Sequence, residues 1–196
     1  MREGSEGKER NRFRELYQAN YERILGYALR RGASAEDAAD VAAETFLVAW
    51  RRLEQVPAGE EARSWLYGVA RRVLGNHRRG VLRRAKLTGR LAEDIARFDR
   101  LATPTPDGVG ARSAFEALRP ADREILGLAT WEGLGTAELA AALGCSPNAA
   151  KIRLHRARRR LLRELARHGV DLKPDASSGH VGHRWTVDSQ DGRDAR

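Results

Sequence analysis

One stretch of the sequence, residues 135–165, restricts the fold more than any other, because it reads as two short helices joined by a tight turn. Residues 136–143 are mostly Ala, Leu and Glu, which are good helix formers. Gly144 follows where this helix must end, since glycine accepts the left-handed conformation. Ser146 offers a hydroxyl to cap a second helix, and Pro147 suits its first position. The stretch therefore predicts a helix-turn-helix.

The second predicted helix has one apolar face and one basic face. The apolar residues recur every three or four positions, at Ala150, Leu154, Ala157, Leu161 and Leu165. The opposite face carries Lys151, Arg153, Arg156, Arg158, Arg159, Arg160 and Arg163. A run of charge is often only a solvated face. Here, however, eight Lys or Arg between residues 151 and 167 meet one acid, Glu164, so salt bridges do not balance the face and DNA binding is favoured.

The net charge of +9 over 196 residues indicates a polyanionic partner, either nucleic acid or an anionic membrane surface. No apolar run approaches the twenty or so residues of a membrane span, and the first residues lack the apolar core of a secretory signal. The single cysteine, Cys145, excludes an internal disulfide and suits a reducing cytosol. We therefore expect a cytoplasmic protein. Cys145 and the histidines His168, His180 and His183 show no metal-ligand spacing, so we expect no metal and no cofactor.

The composition predicts an all-α fold of two small helical domains joined by a flexible linker, because Ala, Leu, Arg and Glu dominate and β-branched residues are few. Residues 1–11 are polar and predicted to be disordered. The first domain spans 12–90 and the second, with the helix-turn-helix, spans 113–167. Residues 91–112 contain the Pro- and Gly-rich linker, and residues 168–196 are predicted to be a disordered tail.

Apolar periodicity predicts three helices in the first domain and two further helices ahead of the helix-turn-helix. The first runs from Arg12 to Gly32, the second from Ala35 to about Leu53, and the third from about Glu61 to Gly80 or beyond. Several aromatic and aliphatic side chains are predicted to be core residues; they are Phe46, Trp50 and Trp65 in the first domain and Phe115, Leu118, Ile125, Leu126, Leu128 and Trp131 in the second.

Two charged segments stand out in the first domain. Asp37, Asp40 and Glu44 lie three and four residues apart, so they form one acidic stripe on the second helix. The third helix leads into a segment from Arg71 to Arg90 that holds eight Lys or Arg and no acid. The acidic stripe suits an Arg-bearing surface of a partner, or is a solvated face.

The order of these segments resembles the extracytoplasmic-function sigma factors, two-domain members of the sigma-70 family of bacterial RNA polymerase. Three stretches carry the resemblance. The first is AEDAADVAAETFLVAWRR (35–52), similar to the helix of this family that binds core polymerase. The second is RSWLYGVARRVLGNHRRG (63–80), similar to the helix that melts the promoter and reads its minus-ten element. The third, residues 118–165, is similar to the domain that reads the minus-thirty-five element.

The resemblance implies a protein that binds core RNA polymerase, recognises both promoter elements and helps to open the DNA, with no catalytic residue of its own. It implies sigma region 2 in 12–90 and region 4 in 113–167. Promoter DNA, as duplex and as melted single strand, is then a partner, and an anti-sigma protein is a further one. The residues that match the family's binding surfaces are Asp37, Asp40 and Glu44 for core polymerase; Arg63, Arg71, Arg72, Asn76, His77, Arg78 and Arg79 for the minus-ten DNA; and Asn148, Lys151, Ile152, Arg153, Arg156, Arg158 and Arg159 for the minus-thirty-five DNA.

Within these sets the residues suggest different tasks. Asn76 and His77 offer hydrogen bonds to base edges, and Trp65 and Tyr67 are candidates for stacking on extruded bases, although the apolar stripe favours a core position for Trp65. On the recognition helix, the positions from Asn148 to Arg153 are predicted to face the bases, and the later arginines to hold phosphates.

Two other classes of protein stay open at this point. A helix-turn-helix regulator that acts without polymerase would use the first domain for a ligand or for dimerisation. The acidic stripe followed by an acid-free basic segment speaks against it. A DNA recombinase would need a nucleophilic Ser or Tyr in a supported cluster, and the sequence pattern shows none.

Overall fold

The computed structural model describes residues 3–88 and 108–170, and all regular structure in them is helical. Seven α-helices follow in order: α1 (Glu3–Arg30), α2 (Ala35–Arg51), α3 (Glu61–Thr88), α4 (Gly108–Glu116), α5 (Pro120–Thr130), α6 (Thr136–Leu143) and α7 (Pro147–Arg167). A 3-10 turn, Leu53–Gln55, follows α2. The predicted all-α fold is confirmed.

The described residues form two compact units, and these do not follow the two domains predicted from the sequence. The first unit contains α1, α2 and α3 together with Leu128–Lys151, which includes α6. The second contains residues 108–127 and 152–170. The domain limits drawn from the sequence stay a prediction. The local sequence does not show which distant segment a helix such as α6 will pack against.

In the first unit, α1, α2 and α3 pack against one another, and α6 packs on α3. Ser34 caps α2, its hydroxyl accepting a hydrogen bond of 3.1 Å from the backbone N–H of Asp37. The predicted stripe of α2 is buried up to Ala49 and includes Phe46. Ile24 of α1 and Leu66 of α3 complete the centre of this core.

Three predicted core tryptophans are not core residues. Trp50 is 44% exposed in the last turn of α2, where its ring lies 5.0 Å from the ring of Phe13, measured between centroids. Trp131 is 48% exposed, since it follows the end of α5 rather than lying on its buried face. Trp65 is half-buried, as is Phe115, so both lie at the margin of their cores.

The disorder predicted for residues 1–11 is wrong for residues 3–11, where α1 has already begun at Glu3. Residues 7–11 are exposed and give no packing from which to predict a helix, yet they belong to a helix whose later turns carry buried residues. Adding a residue to a formed helix avoids the cost of nucleation, so Glu, Lys and Arg suffice to continue it.

A few residues of the predicted linker and of the predicted tail belong to the second unit. Helix α4 begins at Gly108, so 108–112 is helical, while 91–107 and all of 171–196 lie outside the described residues. Residues 168–170 close α7: Gly169 has a φ of 70° and the N–H of Val170 donates to the carbonyl of Leu165 at 3.0 Å. Such a closure with an apolar residue after the glycine is a Schellman-type helix end.

We expect Gly144→Ala to lower the free energy of unfolding by about 1 kcal/mol. Gly144 ends α6 with a φ of 65°, and an added Cβ would meet nothing within 4 Å, so the whole effect comes from the left-handed backbone. Gly80→Ala is the matched control, because Gly80 lies inside α3 with equally open space and should gain stability. Urea denaturation of both variants measures the difference. Equal effects would contradict the left-handed conformation of Gly144.

Candidate nucleic-acid interface

The helix-turn-helix forms as the sequence predicts. The N–H of Gly135 donates to the Glu138 side chain at 2.8 Å, so the first turn of α6 is capped although Gly135 has no side chain of its own. Gly144 turns the chain, and the hydroxyl of Ser146 accepts from the N–H of Ala149 at 3.2 Å at the start of α7. These contacts fix where the second helix begins and therefore which of its residues face outward.

Helix α7 buries four of the five residues of its predicted apolar stripe and leaves the fifth, Leu161, half-buried. Ala150, Leu154, Ala157 and Leu165 are buried. All seven residues predicted to bind the minus-thirty-five DNA are exposed; they are Asn148, Lys151, Ile152, Arg153, Arg156, Arg158 and Arg159. The residues of this predicted set thus lie on the solvent side of one continuous helix, and their cations are available to phosphates.

One arginine of the predicted basic face has a structural task instead. Nη1 of Arg160 donates to both carboxylate oxygens of Asp122, each at 2.8 Å. Asp122 is buried in the first turn of α5, so this pair joins α5 to α7 inside the second unit. Arg160 is therefore not part of the exposed cationic surface that Arg156 and Arg159 form.

The seven residues predicted for the minus-ten DNA divide into an exposed and a covered group. Arg72, Asn76 and Arg79 are exposed and follow one another at spacings of four and three on α3. The covered group is half-buried and consists of Arg63, Arg71, His77 and Arg78. Tyr67 lies with the covered group and is almost fully buried, so it does not offer its ring for stacking in this state.

Three of the covered residues already have partners. Arg63 pairs with Glu138 of α6 at 2.6 Å, Arg78 donates to the backbone carbonyl of Arg31, and Nε2 of His77 lies 3.4 Å from Asp37. The sequence predicts DNA binding for these side chains because their segment resembles the minus-ten helix of the family. It could not separate them, since their partners come from the turn after α1, from α2 and from α6.

Glu138 is held as a carboxylate by its two contacts. Burial opposes its ionisation, but the hydrogen bonds from the Gly135 N–H and from Arg63 outweigh burial and lower the pKa of Glu138. The same pair raises the pKa of Arg63. A lowered carboxyl pKa means that the pair stabilises the fold above the ordinary glutamate pKa of 4.5 and that this contribution is lost as the pH falls through the lowered pKa.

A second acidic residue, Glu132, enters a pocket formed by Arg30, Arg31 and Tyr67, which we call the Glu132 pocket. Its carboxylate accepts four hydrogen bonds: from Arg30 Nε at 3.2 Å and Nη2 at 2.6 Å, from Arg31 Nη1 at 3.3 Å, and from the Tyr67 hydroxyl at 3.0 Å. The Glu132 side chain is only 2% exposed. Burial, and next the charge of Glu132, raise the pKa of Tyr67, which keeps its hydroxyl protonated and donating.

The acidic stripe on α2 is partly free. Asp40 and Glu44 are exposed, one turn apart, whereas Asp37 is half-buried beside His77. Leu47, one turn further along the helix, is 45% exposed. This side of α2 therefore presents two carboxylates and one apolar side chain to solvent.

Two family models match this chain: residues 16–85 match "Sigma-70 region 2" and residues 111–161 match "Sigma-70, region 4". The relative SigL of Mycobacterium tuberculosis, named an ECF RNA polymerase sigma factor, is 32% identical over 85% of this chain and 96% of its own length. This chain belongs to the extracytoplasmic-function sigma factors. The resemblance found in the sequence is confirmed, and with it the general role: the protein recognises promoters for core RNA polymerase in transcription initiation.

Other relatives of this sigma factor agree. The sigma factor YlaC of Bacillus subtilis is 28% identical over 82% of this chain and 95% of its own length. Among solved structures, CnrH in complex with the cytosolic domain of CnrY has a TM-score of 0.53 and 28% identity, with 79% of this chain and 88% of that chain covered. RpoE of Bartonella quintana, in complex with the anti-sigma factor NepR, has a TM-score of 0.62, 79% and 96% coverage and 21% identity, so it shows the fold alone.

Sequence reasoning missed Glu132 and Glu138 of this sigma factor. Both are acids in a strongly basic chain, but their partners lie 102 residues away for Arg30 and 75 for Arg63, and no local pattern shows contacts at that distance. In residues 3–88 and 108–170, no group of three His, Cys, Asp or Glu is placed to hold a metal ion. No helix there is long and apolar enough to cross a membrane.

Proposed function

We propose that three exposed surfaces divide the work of this sigma factor. Core polymerase binds the stripe of Asp37, Asp40 and Glu44 on α2, chiefly through the last two. Melted minus-ten DNA binds the α3 face that carries Arg72, Asn76 and Arg79. Duplex minus-thirty-five DNA binds the outer face of α7. The observation that carries this proposal is that all seven predicted α7 residues are exposed, on a helix that buries Ala150, Leu154, Ala157 and Leu165.

The start and the middle of α7 have different tasks in this proposal. Asn148, Lys151 and Ile152 stand at the first turns, which in a helix-turn-helix enter the major groove with Arg153 and meet base edges. Arg156, Arg158 and Arg159 follow further along and hold phosphates, which position the helix without reading sequence.

The exposed face of α3 suits unpaired DNA. Single-strand binding needs cations along the backbone and groups that meet bases, and Arg72 and Arg79 flank Asn76 on this face. Arg63, Arg71, His77 and Arg78 belong to the same surface only after their present neighbours have moved. The chain itself carries out no catalytic step here, since phosphodiester chemistry belongs to the polymerase.

Two further assignments follow from the family. The sigma factor works in the cytoplasm, where polymerase and promoter are found. An anti-sigma protein regulates it; the support is the family resemblance and the solved complex of CnrH with the cytosolic domain of CnrY.

The experiment compares variants in binding to a pool of randomised DNA duplexes. Asn148→Ala and Lys151→Ala should change which sequences are enriched, with about 1–3 kcal/mol of altered discrimination at the contacted positions. Arg156→Ala should weaken all sequences alike and reduce the slope of log affinity against log salt by about one. Glu164→Gln, a change on α7 beside Arg167, is the control. If the three variants gave the same enriched sequences and the same slope, the orientation of α7 would be refuted.

A further inference from the structure

Ile152 is the one apolar side chain among the seven residues predicted to bind the minus-thirty-five DNA, and it is 42% exposed. Isoleucine is among the residue types that are most often buried in proteins. It also loses side-chain freedom in a helix, so an alanine at the same position would stabilise α7 more. Neither burial nor helix propensity therefore explains an isoleucine at this position.

Ile152 stands at the outermost position of α7. A helix turns by about 100° per residue, so Ile152 lies about 160° round the helix from Ala150 and from Leu154, its neighbours two residues away. Both of these neighbours are buried. Ile152 is therefore on the side of α7 that faces directly away from the core contacts of the helix.

The residues around Ile152 indicate what this side of α7 can approach. Asn148 and Arg156 lie one helical turn before and after it, and Lys151 and Arg153 adjoin it in the sequence; all four are exposed. Cations in this arrangement hold phosphates and so fix a helix on the duplex. In a helix-turn-helix the first turns of the second helix then meet the base edges of the major groove.

The chemistry of isoleucine restricts which group of a base it can recognise. Its side chain carries no hydrogen-bond donor or acceptor. Every base pair presents donors and acceptors in the major groove, and the apolar group among them is the C5-methyl group of thymine. Against an amino or carbonyl group, isoleucine would displace water without replacing its hydrogen bond, which is unfavourable. Against the methyl group it buries apolar surface, which is favourable.

We propose that Ile152 selects a thymine in the minus-thirty-five element by packing against the C5-methyl group of that base. The inference rests on the proposed binding of duplex minus-thirty-five DNA by α7, and it adds one base and one kind of contact to that assignment. Ile152 is then a specificity-determining residue that makes no hydrogen bond, while Asn148 and Lys151 supply the polar contacts to neighbouring bases.

The experiment uses the full chain and the duplex that it enriches most from a randomised pool. Each thymine of either strand is replaced in turn by deoxyuridine, which lacks the methyl group and keeps the hydrogen-bonding groups. At one position the replacement should weaken binding by the unchanged protein about fourfold, which corresponds to about 0.8 kcal/mol for one buried methyl group. With Ile152→Ala the same replacement should leave the affinity unchanged. All affinities are measured at one salt concentration, because phosphate contacts depend on salt.

Leu162→Ala is the matched control, because Leu162 is another exposed aliphatic residue of α7, 43% exposed and much further along the helix. This variant should keep the fourfold difference between thymine and deoxyuridine. Because both side chains are exposed, the melting temperatures of the two variants should stay close to that of the unchanged protein. Circular dichroism measures them and shows that a lost preference does not come from a lost fold.

The randomised pool gives a second readout. Ile152→Ala should enrich thymine less at the position that deoxyuridine identifies, and it should leave the preferences at the other positions as they are. Asn148→Ala should change the preference at a different position. Undiminished enrichment of thymine by Ile152→Ala would contradict the proposal.

The proposal is overturned if no thymine of the duplex distinguishes the unchanged protein from Ile152→Ala, because Ile152 would then be an isolated exposed side chain without a base contact. It is also overturned if Leu162→Ala removes the difference equally. A failure of the proposed function is seen earlier and separately, since the pool would then yield no preferred duplex, or the Asn148, Lys151 and Arg156 variants would behave alike, before any thymine is replaced.

Discussion

We expect the replacement of both Asp40 and Glu44 with lysine to abolish transcription from the cognate promoter and to lower the affinity for core polymerase at least about a hundredfold. Both carboxylates are exposed on α2. If they bind core polymerase as proposed, the substitutions place like charges against an Arg-bearing partner surface. Such a juxtaposition costs several kcal/mol at an interface. Neither side chain is buried, so the free energy of unfolding should shift by less than about 0.5 kcal/mol.

The control is Glu15→Lys with Glu22→Lys, which makes the same change of charge at two exposed positions of α1. Core binding is measured by co-elution with purified polymerase, and output by transcription in vitro. The Asp40 and Glu44 variant should keep its affinity for duplex DNA, because α7 is unchanged. A variant that stayed fully active with core polymerase would contradict the assignment of α2, and activity without any polymerase would indicate a stand-alone regulator.

The largest expected effect on stability is that of Leu66→Ala, about 2–5 kcal/mol of unfolding free energy. Leu66 is 0% exposed at the centre of the core that α1, α2 and α3 share, so the truncation leaves a cavity as well as losing apolar burial. A domain has a total stability of about 5–15 kcal/mol, so such a loss lowers the melting temperature markedly. Calorimetry of the purified protein measures it.

Leu47→Ala makes the same chemical change at a position that is 45% exposed on α2 and should cost less than about 0.5 kcal/mol. The difference between the two leucines therefore isolates burial from residue type. If both variants had the same melting temperature, the core of the first unit would not be centred on α3.

Local chemistry was enough to predict most helices and their ends. Ser34 and Ser146 cap α2 and α7 as their positions before apolar periodic segments imply. Gly144 ends α6, since no other residue type adopts its backbone conformation as readily. Each of these effects acts within four residues, so it is visible in the sequence.

The contacts between distant elements were not predictable in this way. Periodicity places Trp50 on the apolar side of α2, but its exposure depends on how far α1 reaches over the last turn. In the same way, the sequence does not distinguish Arg63 from Arg72, since both lie on the same basic helix. The difference is that Arg63 forms an ion pair with Glu138 of α6. The sequence identified which surfaces carry charge, and tertiary packing decided which charges remain available.

The exposed cations along α7 have a consequence for the time needed to find a promoter. Lys151, Arg153, Arg156, Arg158 and Arg159 attract any phosphate backbone, whatever its sequence. A helix with this surface is held weakly on non-specific DNA, where it slides and hops instead of returning to solution after each encounter. We therefore expect the search to take place largely along the chromosome, and the residues proposed to read bases at the start of the helix to act on sites that the charge has already brought within reach.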